Sequence, residues 1–245
     1  MRKLRSTALM AGVATLAAAG LMMAPTSAGA QEIDVSGDAS GLTVGVSVLG
    51  VGPVNVGPLP VAATPPGGSQ QVLSVSAPPV ASAGVLTASS QPTDGGVTSQ
   101  AQVVGADALA SAVTAGVITA TCSSNAGGST GNSSLANAAL LGVPVAVTPP
   151  ANTQVPLPLL GTVFLNEQIA SDSPGSTSMT VNAVRVALTG GLLSGDILIS
   201  HAACAASGPS VSPGAGAGGG DGGGAGGGGT AGPASAVTGN PTFAG

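Results

Sequence analysis

The residues able to do chemistry are few enough to be weighed one by one. Beyond Ala30 the chain holds one arginine (Arg185), one histidine (His201), two cysteines (Cys122 and Cys204) and nine carboxylates, with no lysine, tyrosine or tryptophan. The densest polar cluster is Asn166-Glu167-Gln168, between the apolar Val163-Phe164-Leu165 and the turn-forming Ser171-Asp172-Ser173-Pro174-Gly175. A carboxylate between two amides at a strand end suits a cation or a polar ligand. The competing role, favoured here, is that the amides satisfy backbone groups at a strand terminus. With Asn182 and Arg185 on a strand soon after, Asn166, Glu167 and Gln168 form the candidate binding set. Arg185 is the only fixed positive side chain after the leader, so a salt bridge to Glu167 is expected.

His201 stands three residues before Cys204. A histidine-based mechanism needs an activated Ser or Cys, and Cys204 is expected in a disulfide, so His201 is read as a surface or half-buried residue. No catalytic residue and no enzyme activity are expected. Glu32, Asp34 and Asp38 are the other carboxylate group; they lack the EF-hand pattern and are read as a solvated N-terminal arm. Two thiols and one imidazole fall short of a four-ligand zinc site, so neither metal nor cofactor is expected. Gly127-Gly128 and Gly218-Gly219-Gly220 lack the lysine of a phosphate loop. A carbohydrate site built on ring stacking is excluded for want of Trp and Tyr, since Phe164 lies in an apolar strand and Phe243 in the tail.

These side chains must be positioned by a chain of unusual bulk properties. Residues 1–30 read as a secretory signal peptide: basic Arg2, Lys3 and Arg5, an apolar run from Ala8 to Met23, and small residues ending Ser27-Ala28-Gly29-Ala30. That run is shorter than the ~20 residues of a membrane span. Cleavage before Gln31 leaves one arginine against nine carboxylates, 1 − 9 = −8. Nucleic acid and anionic lipid are therefore excluded as partners, because affinity for phosphates comes mainly from Lys and Arg. An even pair of cysteines in an oxidising compartment is expected to form the disulfide Cys122–Cys204.

Residues 31–207 are rich in Val, Leu, Thr and Ala, with Gly or Pro every eight to twelve residues. This pattern predicts an all-β domain, an antiparallel β-sandwich of jelly-roll-like or Ig-like type. Alternation puts Leu42, Val44, Val46 and Val48 on one buried face, and likewise Val143, Val145 and Val147; Val155, Leu157 and Leu159; Val163 and Leu165; Val184, Val186 and Leu188. Ala183, Arg185 and Ala187 share the opposite face. Gly105 to Ala120 reads as two strands joined by a turn or short helical turn. Residues 208–245 turn to Gly, Ala and Pro and are expected to be a disordered tail, since Gly loses the most entropy on ordering and buries no side chain.

The order of these features resembles the choice-of-anchor P family of actinobacterial surface proteins. The likeness runs from about Ala39 to Cys204. It rests on Thr119-Ala120-Thr121-Cys122, Pro156-Leu157-Pro158-Leu159-Leu160-Gly161, Val163-Phe164-Leu165-Asn166-Glu167-Gln168, Val181-Asn182-Ala183-Val184-Arg185-Val186 and the closing Cys204. The resemblance implies a secreted all-β domain joined to one of several C-terminal anchoring signals, without established enzymatic activity. No LPxTG motif, apolar stretch or basic stop is legible after Gly208. A secreted or cell-envelope-associated protein with a structural or interaction role is the expectation, with cell-wall or other envelope components as partners. A ligand- or cation-binding surface module is the alternative.

Overall fold

In the computed structural model, residues 33–208 are described. The expected signal peptide, Glu32 and residues 209–245 of the expected tail lie outside them. Among the described residues the chain is all strand and turn. The first strands are β1 (Asp34–Val48), β2 (Gly52–Thr64), β3 (Gly68–Val72), β4 (Val75–Ala77) and β5 (Ala81–Ala83). Then follow β6 (Leu86–Thr93), β7 (Gly96–Ala108), β8 (Val113–Asn125), β9 (Gly128–Ala136), β10 (Ala139–Leu140) and β11 (Val143–Pro144). The last are β12 (Thr153–Leu157), β13 (Gly161–Ser173), β14 (Ser176–Thr189) and β15 (Leu193–Ser207). No helix of the described residues is long and apolar enough to cross a membrane.

Two antiparallel sheets pack face to face. The first has the order β12-β13-β14-β15-β1-β2; in the second, β6 to β9 form a meander, with β3 beside β6 and short strands β4, β5, β10 and β11 extending one end. Pairing of β1 with β15 brings the first and last strands together. Asp34 and Asp38 therefore lie within a central strand, and the solvated arm expected from sequence is corrected. The exposed edge strand β2 carries Pro53, Pro58 and Pro60, which cannot donate to a further strand and so blunt the edge.

The six-stranded sheet changes parity part-way along. Pairing runs Leu165↔Val184↔Ile199↔Leu42 and resumes at Glu167↔Asn182↔His201↔Ser40, with Asn166, Ala183, Ser200 and Gly41 skipped between. Asn166 and Ser200 have φ of 49° and 62°, so the irregularity is built into the backbone. A skipped residue flips the side-chain alternation, which lets Val181 and Ala202 point inward on one side of it and Val184 and Ile199 on the other. Ala183 is consequently buried rather than sharing an outer face with Arg185 and Ala187.

The core tapers along the strands. On one side of the irregularity Leu42, Val44, Val186, Ile197, Val103 and Ile118 fill the space between the sheets. On the other, Ala39, Ala62, Ala88 and Ala101 form a separate small cluster. There Gly37 pairs with Cys204 and Gly131 with Cys122. A Cβ on Gly37 would lie 2.6 Å from Ser99 Oγ, and one on Gly131 2.4 Å from Val181 Cγ2. At both glycines the space is already filled, by Ser99, Val97 and Ser90 at Gly37 and by Val181 and Met179 at Gly131. The sheets are joined here by the Cys122–Cys204 disulfide, Cα to Cα 6.0 Å, and by buried hydroxyls. Ser90 Oγ donates to Thr64 Oγ1 at 2.8 Å, Ser124 Oγ lies 2.7 Å from Thr177 Oγ1, and Ser200 Oγ donates to the Ala101 carbonyl at 2.9 Å.

Gly105 to Ala120 is two strands and a turn, as the sequence predicts. Leu109, Ala110 and Ser111 take φ of 55°, 52° and 66°, and Asp107 holds that turn by accepting from the Ser111 backbone N–H and hydroxyl at 3.1 and 2.6 Å. Two apolar runs depart from expectation. Val143 and Val147 are exposed beside the two-residue β11, and Leu159 is 96% exposed in the β12–β13 turn at φ 66°. Pro144 and Pro158 interrupt these runs, and a strand needs the donors they lack.

The outward face of the second sheet carries uncharged polar side chains in register. Gln91, Thr98, Ser123 and Thr130 form one row. Ser69, Ser89, Gln100, Thr121 and Asn132 form the next. Gln71, Thr87, Gln102, Thr119 and Ser134 form the third.

Candidate functional site

The ionisable side chains of the first sheet converge on its outer face. Glu167 of β13, Asn182 of β14 and His201 of β15 are cross-strand partners, which places them in one row. The parity change just described turns all three outward while their neighbours Leu165, Val181 and Ala202 remain in the core. Arg185 sits three residues beyond Asn182, directly opposite Phe164.

Arg185 grips Glu167 through two donors: Nη2 lies 2.7 Å from Oε1 and Nε 2.9 Å from Oε2. Its third donor, Nη1, reaches Asp196 Oδ1 at 3.1 Å, and the guanidinium lies 4.1 Å above the centre of the Phe164 ring. Such forked, charge-assisted pairs are the stronger class of hydrogen bond, and the ring adds a cation–π contact. Asn182 Nδ2 donates to Glu167 Oε2 at 2.7 Å. The Arg185 hydrogen bond, with help from Asn182, holds the Glu167 carboxyl below the usual carboxylate range against the opposing effect of burial. The same pairing holds the Arg185 guanidinium above its ordinary value.

This orientation propagates one residue further. With the Asn182 amide nitrogen committed to a carboxylate, Oδ1 is an acceptor, and His201 Nδ1, 2.7 Å away, must carry a hydrogen. Nε2 then faces Asp38 Oδ2 at 3.2 Å, a contact that becomes an ion pair when the imidazole is doubly protonated. Asp196, Arg185, Glu167, Asn182, His201 and Asp38 thus form one chain of polar contacts across four strands. The expected salt bridge is present, and Glu167, Asn182 and Arg185 are brought together.

Asn166 and Gln168 are not part of it. They lie within β13 rather than at a strand end, and they hold the 149–152 loop. Asn166 Nδ2 donates to the Pro149 carbonyl at 2.9 Å, and Gln168 N–H to Asn152 Oδ1 at 2.8 Å. Gln168 Nε2 also donates to Asn166 Oδ1 at 2.9 Å. The Asn166 amide bonds loop backbone and the Gln168 amide bonds Asn166, within the strand rather than at the terminus expected from sequence. Sequence reasoning missed Asp38, Asp196 and His201 as members of the network. The Asp196 contact was readable from the β14–β15 hairpin, whereas Asp38 depends on the non-local pairing of β1 with β15.

Chemically, the arrangement braces four strands. Glu167 accepts from three nitrogens, and Arg185 uses Nε, Nη1 and Nη2. Among the described residues no group of three His, Cys, Asp or Glu is placed to hold a metal ion. Fold and site together define a disulfide-stapled antiparallel β-sandwich with a braced polar face. Among known proteins, no family model, curated protein or solved structure matches the chain.

Proposed function

We propose that the protein is an exported, non-catalytic β-sandwich of the choice-of-anchor P kind, with a structural or interaction role at the cell envelope and cell-wall or other envelope components as partners. The observation that carries this reading is the mutual commitment of the network. Glu167 is tied to Arg185 and Asn182, and His201 lies between Asn182 and Asp38. A general acid or base must instead reach a substrate proton. The buried disulfide suits an oxidising compartment, and the basic and apolar leader supplies a route to one.

Fractionating the producing cells into medium, wall, membrane and cytoplasm, with mass spectrometry of the non-reduced protein, tests the reading. A chain beginning near Gln31, without free thiols and found in medium or wall, is the expected result. Confinement of the full-length, reduced chain to the cytoplasm would overturn it.

A further inference from the structure

The outer face of the second sheet is the chemical opposite of the braced one. None of its three rows contains an ionisable residue; Asp94 and Asp107 lie beyond them, in the β6–β7 turn and near the far end of β7. We propose that this face binds an extended, neutral polysaccharide laid across the strands, recognised by hydrogen bonds rather than by ring stacking.

Three observations support the proposal. The first is free hydrogen-bonding capacity. Among the described residues only two hydrogen bonds engage these side chains: Thr98 Oγ1 to Ser123 Oγ and Thr121 Oγ1 to the Asn132 carbonyl, both at 3.3 Å. Gln100 and Gln102 each offer a planar donor–acceptor pair, and the hydroxyls of Thr119 and Thr121 can serve in either sense. That is the complement of adjacent sugar hydroxyls.

The second is spacing. Strands lie about 4.8 Å apart, so the middle row, Ser69 to Asn132 across five strands, presents a polar group at each step over roughly 19 Å. A polymer of sugar rings joined end to end repeats at about the strand spacing, so successive rings meet equivalent positions on successive strands. The third is relief. Two shallow depressions lie on the row, about 190 Å³ beside Thr98, Thr121 and Asn132 and about 290 Å³ beside Thr87, Ser89 and Gln100. The second strand set thus offers two adjoining seats rather than a flat wall.

Charge selects the class of polymer. The face holds no cation to attract uronate, sulfate or phosphate groups, and the exported chain is net negative. The proposal rests on the interaction-module reading for its setting only, because binding is measured with purified protein and export by fractionation.

The test is retention of the oxidised protein on microcrystalline cellulose, chitin and insoluble β-1,3-glucan, with polygalacturonate as the anionic arm. Retention on at least one neutral polymer is expected. Combining Gln100→Ala with Thr121→Ala removes two hydrogen-bonding groups and is expected to weaken it by about tenfold. Asp196→Asn, on the opposite face, leaves it unchanged. Thr121→Ser, which keeps the hydroxyl and serves as the folding control, retains at least half the binding expected of the parent. Failure of the folded parent on every neutral polymer, tighter binding to polygalacturonate, or equal binding by the double variant would overturn the proposal.

Discussion

Replacing both Cys122 and Cys204 with alanine tests the tapered core most directly. The two cysteines are 82 residues apart in sequence, and closing a loop of that length lowers the entropy of the unfolded chain enough to contribute at most about 4 to 5 kcal/mol. The core around it is thin, with Val97, Met179 and Val181 its larger buried side chains. Ala39, Ala62, Ala88 and Ala101 bury small side chains, and each buried hydroxyl pair adds only about 0.5 to 1.5 kcal/mol net. For a domain of this size each kcal/mol corresponds to roughly 2 to 4 °C, so the melting temperature should fall by about 10 to 20 °C. Far-UV circular dichroism is the suitable probe, because a chain without Trp or Tyr has little intrinsic fluorescence. Hydrogen exchange adds position: amides near Ser99 and Cys204 should lose protection first, and those near Val103, Ile118 and Ile197 last. A shift below about 3 °C, or protection lost evenly along β7 and β15, would refute the reasoning that the disulfide carries much of the stability of this end.

Two further substitutions separate close approach from electrostatics. Gly37→Val drives a branched side chain into Ser99, Val97 and Ser90 and should cost about 1 to 3 kcal/mol. Gly45→Val on the same strand, whose nearest neighbour would be Asn55 Oδ1 at 3.8 Å, should stay within about 0.5 kcal/mol; equal effects in thermal melts would contradict the taper. Glu167→Gln removes the charge gripped by Arg185, side chains 13% and 27% exposed, and should cost about 1 kcal/mol at pH 7 after allowance for solvent. Because the folded Glu167 carboxyl lies below the usual carboxylate range, its contribution is present above that range. It is lost as pH falls through the lower folded value. Urea denaturation at pH 7 and pH 3 should therefore show a gap between parent and variant that narrows with acid. A gap that holds constant would remove the ionic account.

The thick end of the sandwich was legible in the sequence because it has contrast. Leu42, Val44 and Val46 alternate with Thr43, Gly45 and Ser47, and Val184, Val186 and Leu188 alternate with Arg185 and Ala187. At the thin end most inward and outward positions are both Ala, Gly, Ser or Thr, with Val97, Met179 and Val181 the inward exceptions, so period-two reading has little signal there. The skipped residues broke it further: Ala39 and Leu42 differ in parity yet both face inward, and nothing local marks Gly41 as the change. The Arg185–Glu167 pair followed from scarcity, since a lone cation among carboxylates has few choices. Asp38 and His201 were out of reach because their contact depends on strands at opposite ends of the domain lying side by side.

The taper also accounts for the composition. Where Gly37 and Gly131 leave no room for a Cβ, an aromatic ring inside the sandwich would force the sheets apart, and the one phenylalanine among the described residues, Phe164, sits on the outer face beneath Arg185. Without buried phenylalanine, tyrosine or tryptophan, the fold relies on aliphatic side chains, long strands with many backbone hydrogen bonds, a staple and buried hydroxyl pairs. With few ionisable side chains, solubility falls to Ser, Thr, Asn and Gln, which a sheet necessarily displays in ladders. Those ladders need not be idle. A composition with no lysine beyond Ala30, no tyrosine and one histidine already engaged by Asn182 arrays uncharged donors and acceptors on one rigid face. Whether that face binds is decided by Gln100 and Thr121.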